Sequence, residues 1–127
     1  MTNTPGERYL DTWVHIFNFY GCAEEAILRA RKETIDAMVA DAGFGLLGSI
    51  LSVFPGEASG YTYVAAISES GVDIHTWPEY GMSAQFEIHY CNYSRDNDDK
   101  AKRLMEAFEA YFKPEKTEYI PPIAFPL

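Results

Sequence analysis

Residues 67–81, Ile-Ser-Glu-Ser-Gly-Val-Asp-Ile-His-Thr-Trp-Pro-Glu-Tyr-Gly, gather most of the side chains in this chain that are able to do chemistry. They hold a Glu69-Ser70 bond at a strand end, then His75, Trp77 and two further acids, Asp73 and Glu79. Asp73 and His75 alternate, so on a strand both point to one face, where the imidazole would serve as a general acid or base. The plainer alternative is a half-buried histidine hydrogen-bonded to a neighbour. Pro78 stands between His75 and Glu79 and rules out a helical metal motif. No His/Cys cluster has zinc spacing, so no metal is expected. Ser70 lacks the G-x-S-x-G setting of a hydrolase nucleophile, and there is no Gly-rich phosphate loop. Trp77 and Tyr80 read equally well as core aromatics, and Cys91 as an ordinary buried thiol. Residue types and spacing alone reach a soluble α/β domain.

The elements that must carry these residues are legible from periodicity. Residues 12–20 are aromatic and β-branched and read as a strand that Gly21 ends. Residues 24–42 follow with Leu28, Ile35, Met38, Val39 and Ala42 at helical spacing, acids first and Gly43 just past the end. Residues 46–54, 61–68 and 72–76 read as strands, with turns at 55–60 and 78–81. Residues 82–93 alternate: Gln85, Glu87, His89 and Cys91 on one face, Phe86, Ile88 and Tyr90 on the other. A polar stretch from Ser94 to Asp99 leads into a second helix striped by Ala101, Leu104, Met105, Phe108 and Phe112. Residues 118–120 suggest an edge strand, and Pro121, Pro122 and Pro126 a non-helical tail.

The expected order is β-α-β-β-β-β-α-β, with no repeat or linker. Short turns imply an antiparallel sheet with both helices on one face: an α+β fold, a two-layer α/β sandwich. One sheet face is left uncovered, and a second subunit would cover it.

The 127 residues fit a single domain, 1–127, able to bury about two-thirds of its unfolded surface. Apolar content of 47% marks a globular chain, and a net charge of −9 argues against nucleic acid. An acidic field suits a cationic ligand. Two cysteines, Cys22 and Cys91, do not make a disulfide framework and point to a reducing compartment. Residues 1–8 lack a signal-peptide core, and the apolar run 12–20 is too short for a bilayer. No membrane association and a cytoplasmic location are expected.

Ser68-Glu69-Ser70 followed by Ile74-His75-Thr76-Trp77-Pro78-Glu79-Tyr80-Gly81 resembles the prokaryotic S-adenosylmethionine decarboxylase proenzyme family, which carries Glu-Ser-His, three residues, then His-Thr-Trp-Pro-Glu. Phe19-Tyr20-Gly21-Cys22 and residues 49–54 are similar to the family too. The resemblance implies self-cleavage between Glu69 and Ser70. The products would be a β chain, residues 1–69, and an α chain, residues 70–127, opening on a pyruvoyl cofactor made from Ser70. It implies a pyruvoyl Schiff base with S-adenosylmethionine, decarboxylation, and a product that donates aminopropyl groups for polyamine (spermidine) synthesis. It assigns His75 to processing and Cys91 to proton donation. Phe54 and Trp77 would flank the nucleoside or sulfonium, and Glu79 would bind ribose hydroxyls. A homodimer is implied. Relatives on this scaffold decarboxylate arginine or ornithine, so a basic amino acid is the alternative substrate. An uncleaved homologue that binds a ligand or a partner is the non-catalytic alternative.

Three positions depart from the family pattern. Gly71 stands where the family has histidine after the cleaved serine. The upstream processing serine falls on Thr62 without gaps, with Ser59 the competing position. The proton-donor cysteine should lie twenty residues after Ser70, which is Tyr90, whereas Cys91 is one later. A one-residue slip reverses the face. A bulge near Gly81-Met82 is therefore expected to bring Cys91 onto the face of Asp73 and His75, and to put Glu87 where the family has aspartate.

Overall fold

The structure is a computed structural model that describes residues 11–92 and 96–126. Residues 1–8, expected to lack a signal peptide, and residues 93–95, at the end of the alternating segment and the start of the polar one, lie outside the described residues. The elements run β1 (Asp11–Tyr20), α1 (Glu24–Ile27), α2 (Lys32–Asp41), β2 (Leu46–Val53), β3 (Tyr61–Ile67), β4 (Ser70–Trp77), β5 (Ser83–Cys91), α3 (Asp98–Phe112), β6 (Lys116–Tyr119) and β7 (Ile123–Pro126). One antiparallel sheet has the order β2-β3-β4-β5-β1-β6, with β7 also paired to β1. The expected α+β class and antiparallel sheet stand.

Alternation decides which side of the sheet is wet. Phe17 and Phe19 of β1, Tyr61 to Ile67 at every second position of β3, Val72 and Ile74 of β4, and Phe86, Ile88 and Tyr90 of β5 are buried on the helix side. They meet Ala26 and Ile27 of α1, Ile35 and Val39 of α2, and Ala101, Leu104, Phe108 and Phe112 of α3. Phe86 is the hub, with ring centroids 4.8 Å from Phe17, 5.1 Å from Phe108 and 4.9 Å from Phe112. Burying each such ring contributes about 1.5–3 kcal/mol. The opposite face carries none of the described helices, and Ile50 and Val64 remain 68% and 44% exposed there.

Two expectations need correction. The helix expected over 24–42 is broken into α1 and α2, giving three helices on the covered face among the described residues. The Ala26 carbonyl, which a continuous helix would pair with the Ala30 N–H, instead accepts from the buried Tyr61 hydroxyl at 2.9 Å. The proline tail is non-helical as expected, but it adds a strand that the expected order lacked. Residues Ile123–Pro126 form β7 against Asp11 to Val14, with Pro126 as its last residue, where a missing donor is tolerated. No described helix is long and apolar enough to cross a membrane.

Candidate active site

Ser68 and Glu69 alone connect β3 to β4, with Ile67 opposite Ser70 in the ladder. Two-residue hairpin loops normally place a positive φ within the loop. Here Ser68 and Glu69 have none, and the positive φ, 156°, falls on Ser70. That region is nearly exclusive to glycine, so the strain sits on the residue after the Glu69-Ser70 bond.

The turn is gripped on several sides. The Glu69 carbonyl oxygen accepts from the Cys91 N–H at 2.9 Å. One oxygen of the Glu69 carboxylate accepts from the Gly45 N–H at 3.1 Å, and the other lies 3.7 Å from Lys100 Nζ. The Ser68 N–H donates to the Gly45 carbonyl at 2.7 Å. A Cβ at Gly45 would crowd the Ser68 hydroxyl and make it rotate away, so glycine suits the close approach. The Cys91 carbonyl in turn accepts from Asn97 Nδ2 at 2.7 Å, at the start of α3.

Beyond the turn, β4 and β5 put their polar residues on the open face. Gly71 pairs with His89, Asp73 with Glu87, and His75 with Gln85. Cys91 continues the series and is half-buried. Its expected face is therefore found, but the expected bulge is not. The register from Ser83 to Tyr90 runs without a shift. In the connection before β5, Gly81 and Met82 adopt φ of 67° and 51°. Tyr90 lies on the covered face, buried, with its hydroxyl donating to Asp98 at 2.6 Å and 3.1 Å from His15 Nε2. Burial lowers the His15 pKa, against an opposing pull from Asp98.

Thr62 stands directly opposite His75 on β3, with Oγ1 3.2 Å from Nδ1. Ser59 does not reach this group: its hydroxyl donates to the Pro55 carbonyl at 2.9 Å within the β2–β3 connection. Gly71 leaves room, since an added Cβ would meet only the Ala65 carbonyl at 3.5 Å. Phe54, Trp77 and Glu79 come together around a cavity of about 380 Å³, floored by Gly60 and Thr76. The Trp77 ring lies 6.1 Å from His75, which joins this cavity to the open polar face. A larger cleft of about 450 Å³, lined by Met38 and Arg103 among others, is formed by α2 and α3 and contains none of these residues.

Gly45, Asn97 and Lys100 were not singled out from the sequence. Lys100 did leave a signal. A cation in the first turn of a helix opposes the helix dipole, and one following Asp98 and Asp99 invites the question of what it neutralises.

A sequence model of the S-adenosylmethionine decarboxylase family matches residues 14–119. The S-adenosylmethionine decarboxylase proenzyme of Archaeoglobus fulgidus is 32% identical over 102 residues, covering 79% of this chain and 85% of that protein. The proenzyme of the same name from Pyrobaculum neutrophilum is 36% identical over 107 residues, covering 82% of each. The crystal structure of the adenosylmethionine decarboxylase from Aquifex aeolicus VF5 superposes with a TM-score of 0.72 over 94% of this chain and 91% of that one. At 22% identity that likeness speaks for the fold.

Proposed function

This chain belongs to the S-adenosylmethionine decarboxylase family, and from that premise we propose that it cleaves itself at Glu69-Ser70 and then decarboxylates S-adenosylmethionine for polyamine synthesis. The observation that carries this reading is the placement of Ser70: strained, at a two-residue turn, on the strand that also bears His75 and Trp77.

Self-cleavage begins with the Ser70 hydroxyl. Its Oγ bonds to the Glu69 carbonyl carbon, the Glu69–Ser70 C–N bond breaks, and the proton lost by Oγ passes to the freed nitrogen. The amide thereby becomes an ester. Removing the Ser70 α-proton then breaks the Cβ–O bond, releases residues 1–69 as a carboxylate and leaves dehydroalanine. Water replaces its nitrogen as ammonia and leaves the pyruvoyl group. The family resemblance gives the role of base to His75, five residues on along β4, and Thr62 orients its ring. The residues fit the cofactor: a serine at the required bond, a donor on its carbonyl and an open polar face beside it.

A pyruvoyl group supplies a carbonyl that takes up the substrate amine and accepts the electron pair left by carbon dioxide. Cys91 returns the proton from the same face. Phe54 and Trp77 hold the adenosine and sulfonium, with Glu79 on the ribose hydroxyls. Trp77's face attracts the sulfonium by about 0.5–2 kcal/mol. Asp73 and Glu87, paired across β4 and β5, favour a cationic substrate in this region. A second copy of the chain covers the open face, giving a homodimer, and the enzyme works in the cytoplasm.

The test is denaturing mass spectrometry with a carbon dioxide assay. Two chains are expected, the C-terminal one lighter than a serine terminus by one ammonia. Carbon dioxide should come from S-adenosylmethionine and not from arginine or ornithine. A chain that stays whole overturns the cofactor, and release from a basic amino acid overturns the substrate. The aromatic pair around the 380 Å³ cavity favours a nucleoside over a free amino acid.

A further inference from the structure

The self-cleavage reading leaves open what keeps the Glu69-Ser70 peptide oriented and its strain undischarged. A two-residue turn at the end of a sheet is free to rotate its peptide planes unless something beyond the ladder holds it. The Glu69 side chain is the handle. Its side chain is only 14% exposed, with the Lys100 side chain 16% exposed beside it. The Gly45 N–H takes one oxygen and Lys100 the other. The carbonyl of the same residue is pinned by the Cys91 N–H. Side chain and carbonyl together fix the plane of the peptide that must react.

We propose that Lys100, acting through the Glu69 carboxylate, is a positioning residue for self-cleavage. It clamps the turn from α3 and keeps the Glu69 carbonyl facing the Cys91 amide while Ser70 stays in its strained conformation. Without Lys100 the carboxylate is a poorly solvated charge with a single neutral donor, and it moves towards water. Its backbone follows, the carbonyl leaves the Cys91 N–H, and the φ of Ser70 relaxes. The strained arrangement of Ser70 beside the held carbonyl is lost before the hydroxyl attacks. The amide that polarises the carbonyl is also the one placed to stabilise the oxyanion that forms on it. Helix α3 is thus tied to the reacting bond by Lys100 on one side and by Asn97, through Cys91, on the other.

The inference rests on the self-cleavage reading, and the experiment separates the two. Wild type, Lys100→Met, Lys100→Arg and Glu69→Gln are made by cell-free translation and sampled over time for intact and cut chains. Lys100→Met and Glu69→Gln should cut at least about tenfold more slowly, and Lys100→Arg within about threefold of wild type. Hydroxylamine, which cleaves esters, should leave the slow variants slow, because the block precedes the ester. The Ser70→Ala forms of each variant report melting temperature without cleavage, and these should agree within a few degrees.

Equal cutting by wild type and Lys100→Met overturns the proposal. So does hydroxylamine restoring the wild-type rate, which would place the defect after acyl transfer. Should Lys100→Met fail to fold, Glu69→Gln keeps the Gly45 contact and removes only the charge, and its cutting at the wild-type rate is equally fatal. A wild-type chain that never cuts overturns the self-cleavage reading itself, and this proposal with it.

Discussion

The Thr62 hydroxyl lies 3.2 Å from Nδ1 of His75, one strand across on the open face of the sheet. This pairing favours one of the two hydroxyls that the sequence offered upstream of the proposed scissile bond. Ser59 is occupied with Pro55 in a loop, and Thr62 holds the imidazole.

Thr62→Ala should therefore slow self-cleavage by roughly tenfold or more, the cost of losing a bond that orients a general base. Thr62→Ser should stay near wild type, and so should Ser59→Ala. Time-resolved chain masses check all three. A slow Ser59→Ala beside a normal Thr62→Ala would reverse the assignment.

Cys91 separates by chemistry what it joins in space. Its N–H meets the Glu69 carbonyl, while its thiol is the expected proton donor in turnover. Cys91→Ala keeps the amide, so the chain should still cut. Decarboxylation should fall by about a hundredfold or more. Brief alkylation of the native protein should map to half-buried Cys91, because burial pushes the Cys22 thiol up to about 12 and leaves it 6% exposed. Peptide mapping reads the site.

Trp77→Ala should raise the KM for S-adenosylmethionine by about tenfold, the equivalent of about 1.4 kcal/mol of lost contact with the sulfonium and base. The extent of self-cleavage should not change, since Trp77 touches the cavity and not the turn. An unchanged KM would move the substrate elsewhere.

Asp36 offers a pH test of stability away from the site. Burial alone would raise its pKa, but hydrogen bonds from Ser49 and Tyr63, both at 2.6 Å, and the Lys32 ammonium at 3.0 Å outweigh that and lower it. The folded state then binds this proton more weakly than the unfolded state, so its stabilisation is complete above the unfolded carboxyl pKa of about 3.9. It is lost as pH falls through the folded pKa. Asp36→Asn should cost about 1–3 kcal/mol near neutrality. Urea midpoints should show that gap narrowing below about pH 3.9 and closing in stronger acid. A gap that does not change with pH would contradict the hydrogen-bond assignment.

Period-two and helical stripes made most of this fold legible. Phe86, Ile88 and Tyr90 against Gln85, Glu87, His89 and Cys91 gave both faces of β5, and Ala101, Leu104, Phe108 and Phe112 gave the buried side of α3. The features that escaped depend on partners far along the chain. Helix α1 stops because Tyr61 takes a carbonyl at Ala26. β7 exists because β1 has a free edge beyond β6. Lys100 meets Glu69 only once α3 has packed. The position of Cys91 was half legible. Its face followed from alternation, but the bulge expected near Gly81-Met82 does not occur, and β5 pairs with β4 without a shift.

The strand order has a consequence for the life of the protein after the proposed cut. Residues 1–69 bring β1, β2 and β3, and residues 70–127 bring β4 to β7, with β1 inserted between β5 and β6 of the other piece. The fragments are interleaved, so they cannot part without tearing four ladders, β3–β4, β1–β5, β1–β6 and β1–β7. Yet what was one chain's folding becomes an encounter of two different chains, dependent on concentration. Refolding from denaturant should succeed for the uncut precursor at any dilution and fail for the mature protein when dilute. Such an enzyme is assembled once, as a single chain, and afterwards can only be kept.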